Sequence, residues 1–146
     1  MQFTHLALLL TTTTITSALA QQRFPIVDER RYCTSTERTT STACGNLVSQ
    51  FPTFGSFPSF PVIGGAEFIT QSDDPDCGSC FNITSIPTNG GGPANTVFLT
   101  AVNTAPRGFV MCTDVLTDLL NLPRGSPVPP NVQVEATRVD ASLCGL

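Results

Sequence analysis

The chain of 146 residues contains no Lys and no Trp, and only one Tyr and one His. Every cation is therefore an Arg, and the 7 of them face 11 carboxylates, for a net charge of -4 and a pI near 4.6. So few cations cannot build a basic face, which excludes nucleic acid and an anionic membrane surface as partners. The one His is His5, inside a segment that reads as removed on export, so a Ser-His-Asp or Cys-His site is excluded from the mature chain. Charged residues make up 12% of the sequence, which leaves Thr, Ser, Asn and Gly to cover the surface. Such a surface suits a neutral partner such as a polysaccharide. No metal-ligand spacing is visible and no cofactor is implied.

What is present begins with an export signal. Met1 to Ala20 has no Asp or Glu, an apolar run from Leu6 to Leu10, and a small-residue exit at Ala18-Leu19-Ala20. Threonines at positions 11 to 14 and at 16 break the apolar run well short of the roughly 18 residues of a membrane span. Cleavage before Gln21 makes the product secreted, to the extracellular space or cell wall. The remaining length, about 125 residues, is enough for one domain with a modest core. In an exported chain, Cys33, Cys44, Cys77, Cys80, Cys112 and Cys144 are expected as disulfides. Six cysteines allow about 15 connectivities, and spacing alone does not choose among them.

Along the chain, Gln21 to Arg31 reads as a leader, with a first strand around Arg31 to Ser35 and a Ser/Thr loop from Thr34 to Ala43. Phe51, Phe54, Phe57 and Phe60 recur every third residue among Pro52, Pro58 and Pro61, which forbid a helix. A polyproline II segment would align the rings as an exposed stripe for surface adsorption. The commoner arrangement is a lid that buries them, since large exposed apolar patches are rare. Val62 to Ala66 reads as a short apolar run into a turn. Asp73-Asp74-Pro75-Asp76 lacks the alternating ligands and closing Glu of a calcium loop and reads as a solvated acidic loop. Cys77-Gly78-Ser79-Cys80 reads as structural.

Phe81 to Ile86 alternates as a strand with Phe81 and Ile83 inward; Asn82-Ile83-Thr84 is an N-glycosylation acceptor, so Asn82 should face water. After a flexible loop over Thr88 to Ala94, Thr96 to Asn103 reads as a strand buried on both faces. Phe109, Cys112, Leu116, Leu119 and Leu120 follow one helix face, which predicts a helix over Phe109 to Leu122, stopped by Pro123. Val132, Val134 and Ala136 alternate in a final strand after the Ser126 to Pro130 linker.

Three motifs then stand in order: Phe57-Pro58-Ser59-Phe60-Pro61-Val62-Ile63-Gly64-Gly65-Ala66, Cys77-Gly78-Ser79-Cys80-Phe81, and Ala136-Thr137-Arg138-Val139 followed by Ser142-Leu143-Cys144-Gly145-Leu146. Together they resemble the cerato-platanin family, from Cys44 to Leu146; residues 21 to 43, the N-terminal strand and Ser/Thr loop of the same single domain, match poorly. The resemblance implies a mainly β fold with one short to medium helix, a disulfide-stapled double-psi β-barrel related to barwin and the expansins. It also implies a non-catalytic secreted protein that binds or loosens extracellular polysaccharide, with chitin-type oligosaccharides as ligands, or that acts as an elicitor read by a host receptor.

Carried over from the family, the bridges are Cys44 with Cys77 and Cys80 with Cys144, which leaves Cys33 with Cys112. The family's groove acid falls on Asn103, which cannot ionise, and Glu135 is the nearby acid that would line the groove. With an amide at that position, the two carboxyl groups of a glycosidase are missing unless Asp114, Asp118, Glu135 or Asp140 substitutes. A surface-active or wall-structural protein using the Phe51 to Phe60 stripe is the alternative, and a barwin-like endoglucanase ranks last.

Overall fold

Six short strands, four with alternating or mixed burial and two buried throughout, pair edge to edge into a closed sheet. The computed structural model describes residues 22–87 and 92–146. The segment read as an export signal and most of the loop at Thr88 to Ala94 lie outside the described residues. The strands are β1 (Gln22–Asp28), β2 (Ile63–Ala66), β3 (Cys80–Ser85), β4 (Thr96–Thr104), β5 (Phe109–Met111) and β6 (Gln133–Val139), with one helix, α1 (Thr113–Leu119). They close as β1-β5-β2-β4-β3-β6, with β1·β5 and β2·β4 parallel and the other pairs antiparallel. This is the double-psi β-barrel, with one α-helix and three disulfides among the described residues.

Two cores share one wall of the barrel. Inside lie Ile26, Phe81, Ile83, Leu99, Ala101, Phe109, Met111, Val134 and Ala136, closed at one side by Leu116 and Leu119 of α1. Outside, Tyr32, Phe54 and Phe57 pack on Ile63, Val102, Val110 and Cys112. The 29–62 connection therefore folds back over β2, β4 and β5, so these strands are covered on both faces. That explains why Leu99 to Val102 are buried without a break. Between Gly64 and Gly65 the β2·β4 register shifts, so that Gly64 faces Ala101 and Gly65 faces Asn103. Such a bulge re-aims the side chains that follow it.

The phenylalanine repeat is a lid and not an exposed stripe. Phe54 and Phe57 are buried, Phe54 stacks on Tyr32 at 5.6 Å, and Phe51 stacks on Phe57 at 4.5 Å. A 3-10 turn at Phe54–Ser56 replaces the polyproline II helix. Its capping box, in which Thr53 and Ser56 each bond the other's backbone, fixes the start of that turn, and Phe51, Phe54, Phe57 and Phe60 all pack on the outer core.

Three other expectations are corrected. The first strand is Gln22–Asp28, and Arg30–Cys33 is a 3-10 turn. Phe24 and Ile26 supply the inward alternation, while Pro25 and the charges around it hid the pattern. Val62 to Ala66 contains a central strand and not a turn: a Cβ on Gly64 would lie 1.9 Å from the Val110 carbonyl oxygen, so the glycine pair permits close passage of β2 between its neighbours. The expected helix over Phe109 to Leu122 is a strand followed by a shorter helix. Phe109 and Met111 point into the barrel and Val110 points out, a period of two that pairing with β1 and β2 imposes over the helical spacing.

The bridges are Cys33–Cys112, Cys44–Cys77 and Cys80–Cys144, with sequence separations of 79, 33 and 64. Each closes a long loop, and in the chain-entropy picture contributes about 3 to 5 kcal/mol. Because Phe54 is wholly buried between the lid and the wall, Phe54→Ala is expected to cost about 3 to 5 kcal/mol, read by denaturant unfolding. A loss below about 1 kcal/mol would show that the lid is not part of the core.

Candidate functional site

Asn103 sits at the end of β4 beside the bulge, half-buried, and both ends of its amide are engaged. Its Oδ1 accepts from the Ala43 amide at 2.8 Å, and its Nδ2 donates to the Tyr32 hydroxyl at 3.0 Å. The side chain thus ties the Ser/Thr loop, next to the Cys44–Cys77 bridge, and the buried Tyr32 to the barrel. Burial pushes the Tyr32 hydroxyl above its usual pKa, partly offset by the Asn103 bond, which keeps it a neutral phenol. Above it, the Arg31 guanidinium lies 5.5 Å from the ring centre, bonds the Ser41 carbonyl at 3.2 Å, and pairs with Glu29 and Glu37, each at 3.8 Å.

Glu135 lies elsewhere. It is level with Thr84 of β3, which is level with Thr96 of β4, and Asn103 stands at the other end of that strand. Seven residues of strand is about 23 Å, so the two candidate groove residues are not brought together. The Glu135 carboxylate pairs with Arg23 of β1 across the strands at 3.8 Å. Asn82 is outward on β3, half-buried, and its Oδ1 accepts from Thr84 Oγ1 at 3.2 Å.

The other candidate acids, Asp114, Asp118 and Asp140, are on the surface. Asp114 and Asp118 share one face of α1 and border a cavity of about 320 Å³ with Arg124, which pairs with Asp118 at 4.0 Å. Asp118 is 61% exposed, so its carboxylate stands in solvent and not in an enclosed site. Asp140 accepts from the Ser142 hydroxyl at 2.6 Å and amide at 2.9 Å, bonds that hold its carboxyl below the usual range and close the last 3-10 turn. A cavity of about 390 Å³ between Arg23, Ser85, Leu122 and Val132 has no carboxyl group in its described lining. Among the described residues, Cys33, Cys112 and Asp114 group their ligand atoms within 4.8 Å, but the two sulfurs are joined in a disulfide and offer no thiolate.

The sequence reading missed Phe68. It follows β2 at the barrel mouth, 37% exposed, in a connection with no strand or helix period to flag it. Its ring stacks on Phe81 at 5.4 Å and 13°, and meets Phe24 edge-on at 5.6 Å, while Phe81 and Phe24 both meet Phe109 edge-on. Four rings therefore form a stiff aromatic plug at the barrel end, with Phe68 partly open to solvent. Beside it, Glu67 accepts from the Gly108 amide, and the Glu67 amide donates to the Gly108 carbonyl at 2.8 Å.

A closed six-stranded barrel stapled by three disulfides places this chain in the class of small double-psi barrel proteins. A profile of the family named Cerato-platanin matches residues 27–146, and the chain belongs to that family. The match extends upstream of Cys44. The chain is 35% identical over 108 residues to Cerato-platanin of Ceratocystis fimbriata f. sp. platani, covering 71% of this chain and 74% of that one. It is 37% identical over 81 residues to Allergen Asp f 15 of Aspergillus fumigatus, covering 56% of this chain and about half, 49%, of the allergen. Cerato-platanin 2 from M. perniciosa superimposes with a TM-score of 0.77 at 28% identity, over 86% of this chain and 100% of that one. The solution structure of the fungal elicitor Cerato-Platanin gives 0.66 at 30% identity, over 82% and 95%.

Two predictions come from these bonds. Asn103→Leu removes both ties and is expected to cost about 1 to 3 kcal/mol in thermal unfolding, whereas Asn103→Asp keeps the acceptor for Ala43, lets Tyr32 donate, and should cost less. Equal losses in the two variants would refute the tie. The Asp74 carboxyl accepts from the Asp76 and Thr70 amides, each at 3.0 Å, which hold it below its usual pKa. A depressed folded pKa contributes stability above the unfolded value, about 3.9, that is lost as pH falls through the folded one. The melting temperature should therefore fall with acid below about pH 4. Asp74→Asn should show a flatter profile over that range; an unchanged slope would contradict it.

Proposed function

We propose that this cerato-platanin is a secreted, non-catalytic protein that holds neutral extracellular polysaccharide, of the chitin or cellulose type, against the Phe68 ring. The observation that carries the reading is that ring: flat, neutral, partly open, and supported from behind by Phe81 and Phe24. The axial C–H groups of a pyranose pack against such a face, and a ring already fixed by its neighbours loses little freedom on binding. The chain's scarcity of charge supports the same ligand class. Glycoside hydrolysis needs two carboxyl groups set about 5 to 9 Å apart with one protonated. Asn103 supplies an amide, and the Glu135 carboxylate is turned to Arg23 at the far end of the barrel wall. The endoglucanase reading therefore ranks last.

A second reading, recognition by a host receptor, draws support from likeness to the solved cerato-platanin described as a fungal elicitor. The surface-active alternative loses its premise, since Phe54 and Phe57 are buried.

The test is co-sedimentation of the mature protein with insoluble chitin and cellulose, with reducing ends assayed in the same tubes. Phe68→Leu, which keeps apolar cover but removes the flat face, is expected to weaken retention by roughly 5 to 10-fold while lowering the melting temperature by only a few degrees. Retention should be nearly flat from about pH 5 to 8, since no His titrates there. Release of reducing ends by the wild type, stopped by Glu135→Gln or Asp118→Asn, would sink the non-catalytic reading. Unchanged retention in Phe68→Leu would sink the platform. A defence response in infiltrated leaves that is undiminished in that variant would separate receptor recognition from glycan binding.

A further inference from the structure

We infer that Asn82 carries an N-linked oligosaccharide on its Nδ2, standing out from the bare wall formed by β3 and β6. Asn82-Ile83-Thr84 is the single Asn-x-Thr acceptor in the sequence, and the structure places it where an attached sugar has room. In β3, Phe81 and Ile83 point into the barrel, so Asn82 and Thr84 point out. Directly across from Asn82 stand Phe98 of β4 and Thr137 of β6. The outer core built by the 29–62 connection contains no residue of β3 or β6, so the lid does not extend over Asn82.

The two ends of the Asn82 amide differ in the way the modification requires. Oδ1 accepts from Thr84 Oγ1 at 3.2 Å, and the same hydroxyl meets Thr96 Oγ1 at 2.9 Å. Among the described residues the Nδ2 end has no hydrogen-bond partner, and it is not a buried orphan, since the one buried side-chain nitrogen or oxygen without a partner is Arg31 Nε. Nδ2 therefore opens to solvent. In the transfer, this nitrogen forms a bond to the anomeric carbon of an oligosaccharide carried on a lipid diphosphate. The bond from that carbon to the phosphate oxygen breaks, the lipid diphosphate leaves, and the nitrogen gives up one proton. Asn82 is two residues from Cys80, whose bridge to Cys144 brings the C-terminus back beside β3.

The test is secretion of the full chain from a eukaryotic host, with intact mass measured before and after peptide-N-glycosidase. The added mass is expected to vanish on digestion and to leave Asp in place of Asn82 in the sequenced peptide. Thr84→Ala should abolish the added mass and Thr84→Ser should retain it. This pair keeps the test valid if Asn82→Gln fails to be secreted. A wild-type mass equal to that of the bare polypeptide, or added mass that survives Thr84→Ala, would overturn the assignment.

Discussion

The fold depends on how closely β2 passes between β4 and β5. A side chain at Gly65 would come within 2.6 Å of the Thr104 carbonyl oxygen, as one at Gly64 would meet Val110, so the crossing exists only because two adjacent residues have no Cβ. From that crossing follows the register shift opposite Val102, and from the shift the turning of Asn103 toward Tyr32 and Ala43. The crossing also makes the β2–β4–β5 wall thin enough to be packed from both sides. The barrel interior and the phenylalanine lid then stabilise each other through the same three strands.

The bridges reinforce this arrangement at its loose ends. Cys33–Cys112 joins the start of the lid to the N-terminus of α1, and Cys44–Cys77 joins its middle to the loop before β3. Cys80–Cys144 holds the last turn against β3. A domain of this size has a limited core, and cross-links that restrict the unfolded chain supply what burial alone does not.

Much of this was legible in the residues, and the failures have physical causes. The period of two in Phe81 to Ser85 and in Val132 to Ala136 survives into β3 and β6, because those strands have one wet face and one dry face. Where both faces are dry, alternation of polarity disappears, and Phe109 to Met111 and Ile63 to Ala66 could not be told from a helix turn and a loop. The Phe51 to Phe60 repeat carried two geometries at once, and only the outer surface of β2, β4 and β5 decides between them. At the candidate site, the residue type at 103 was readable but not its partners, since Tyr32 and Ala43 are 71 and 60 positions away in sequence. Phe68 left no periodic trace, because one ring after a strand end has no pattern to belong to.

The closed order of strands has a consequence for how copies of this chain meet. An open sheet ends in a row of unpaired amides and carbonyls, and such rows template fibres by adding strand to strand. Here the last strand of the sheet bonds the first, and every ladder is already occupied. Any film or particle assembled from folded copies must be held by side chains and loop surfaces, so it comes apart with detergent or dilution. A cross-β deposit would require the barrel to open first.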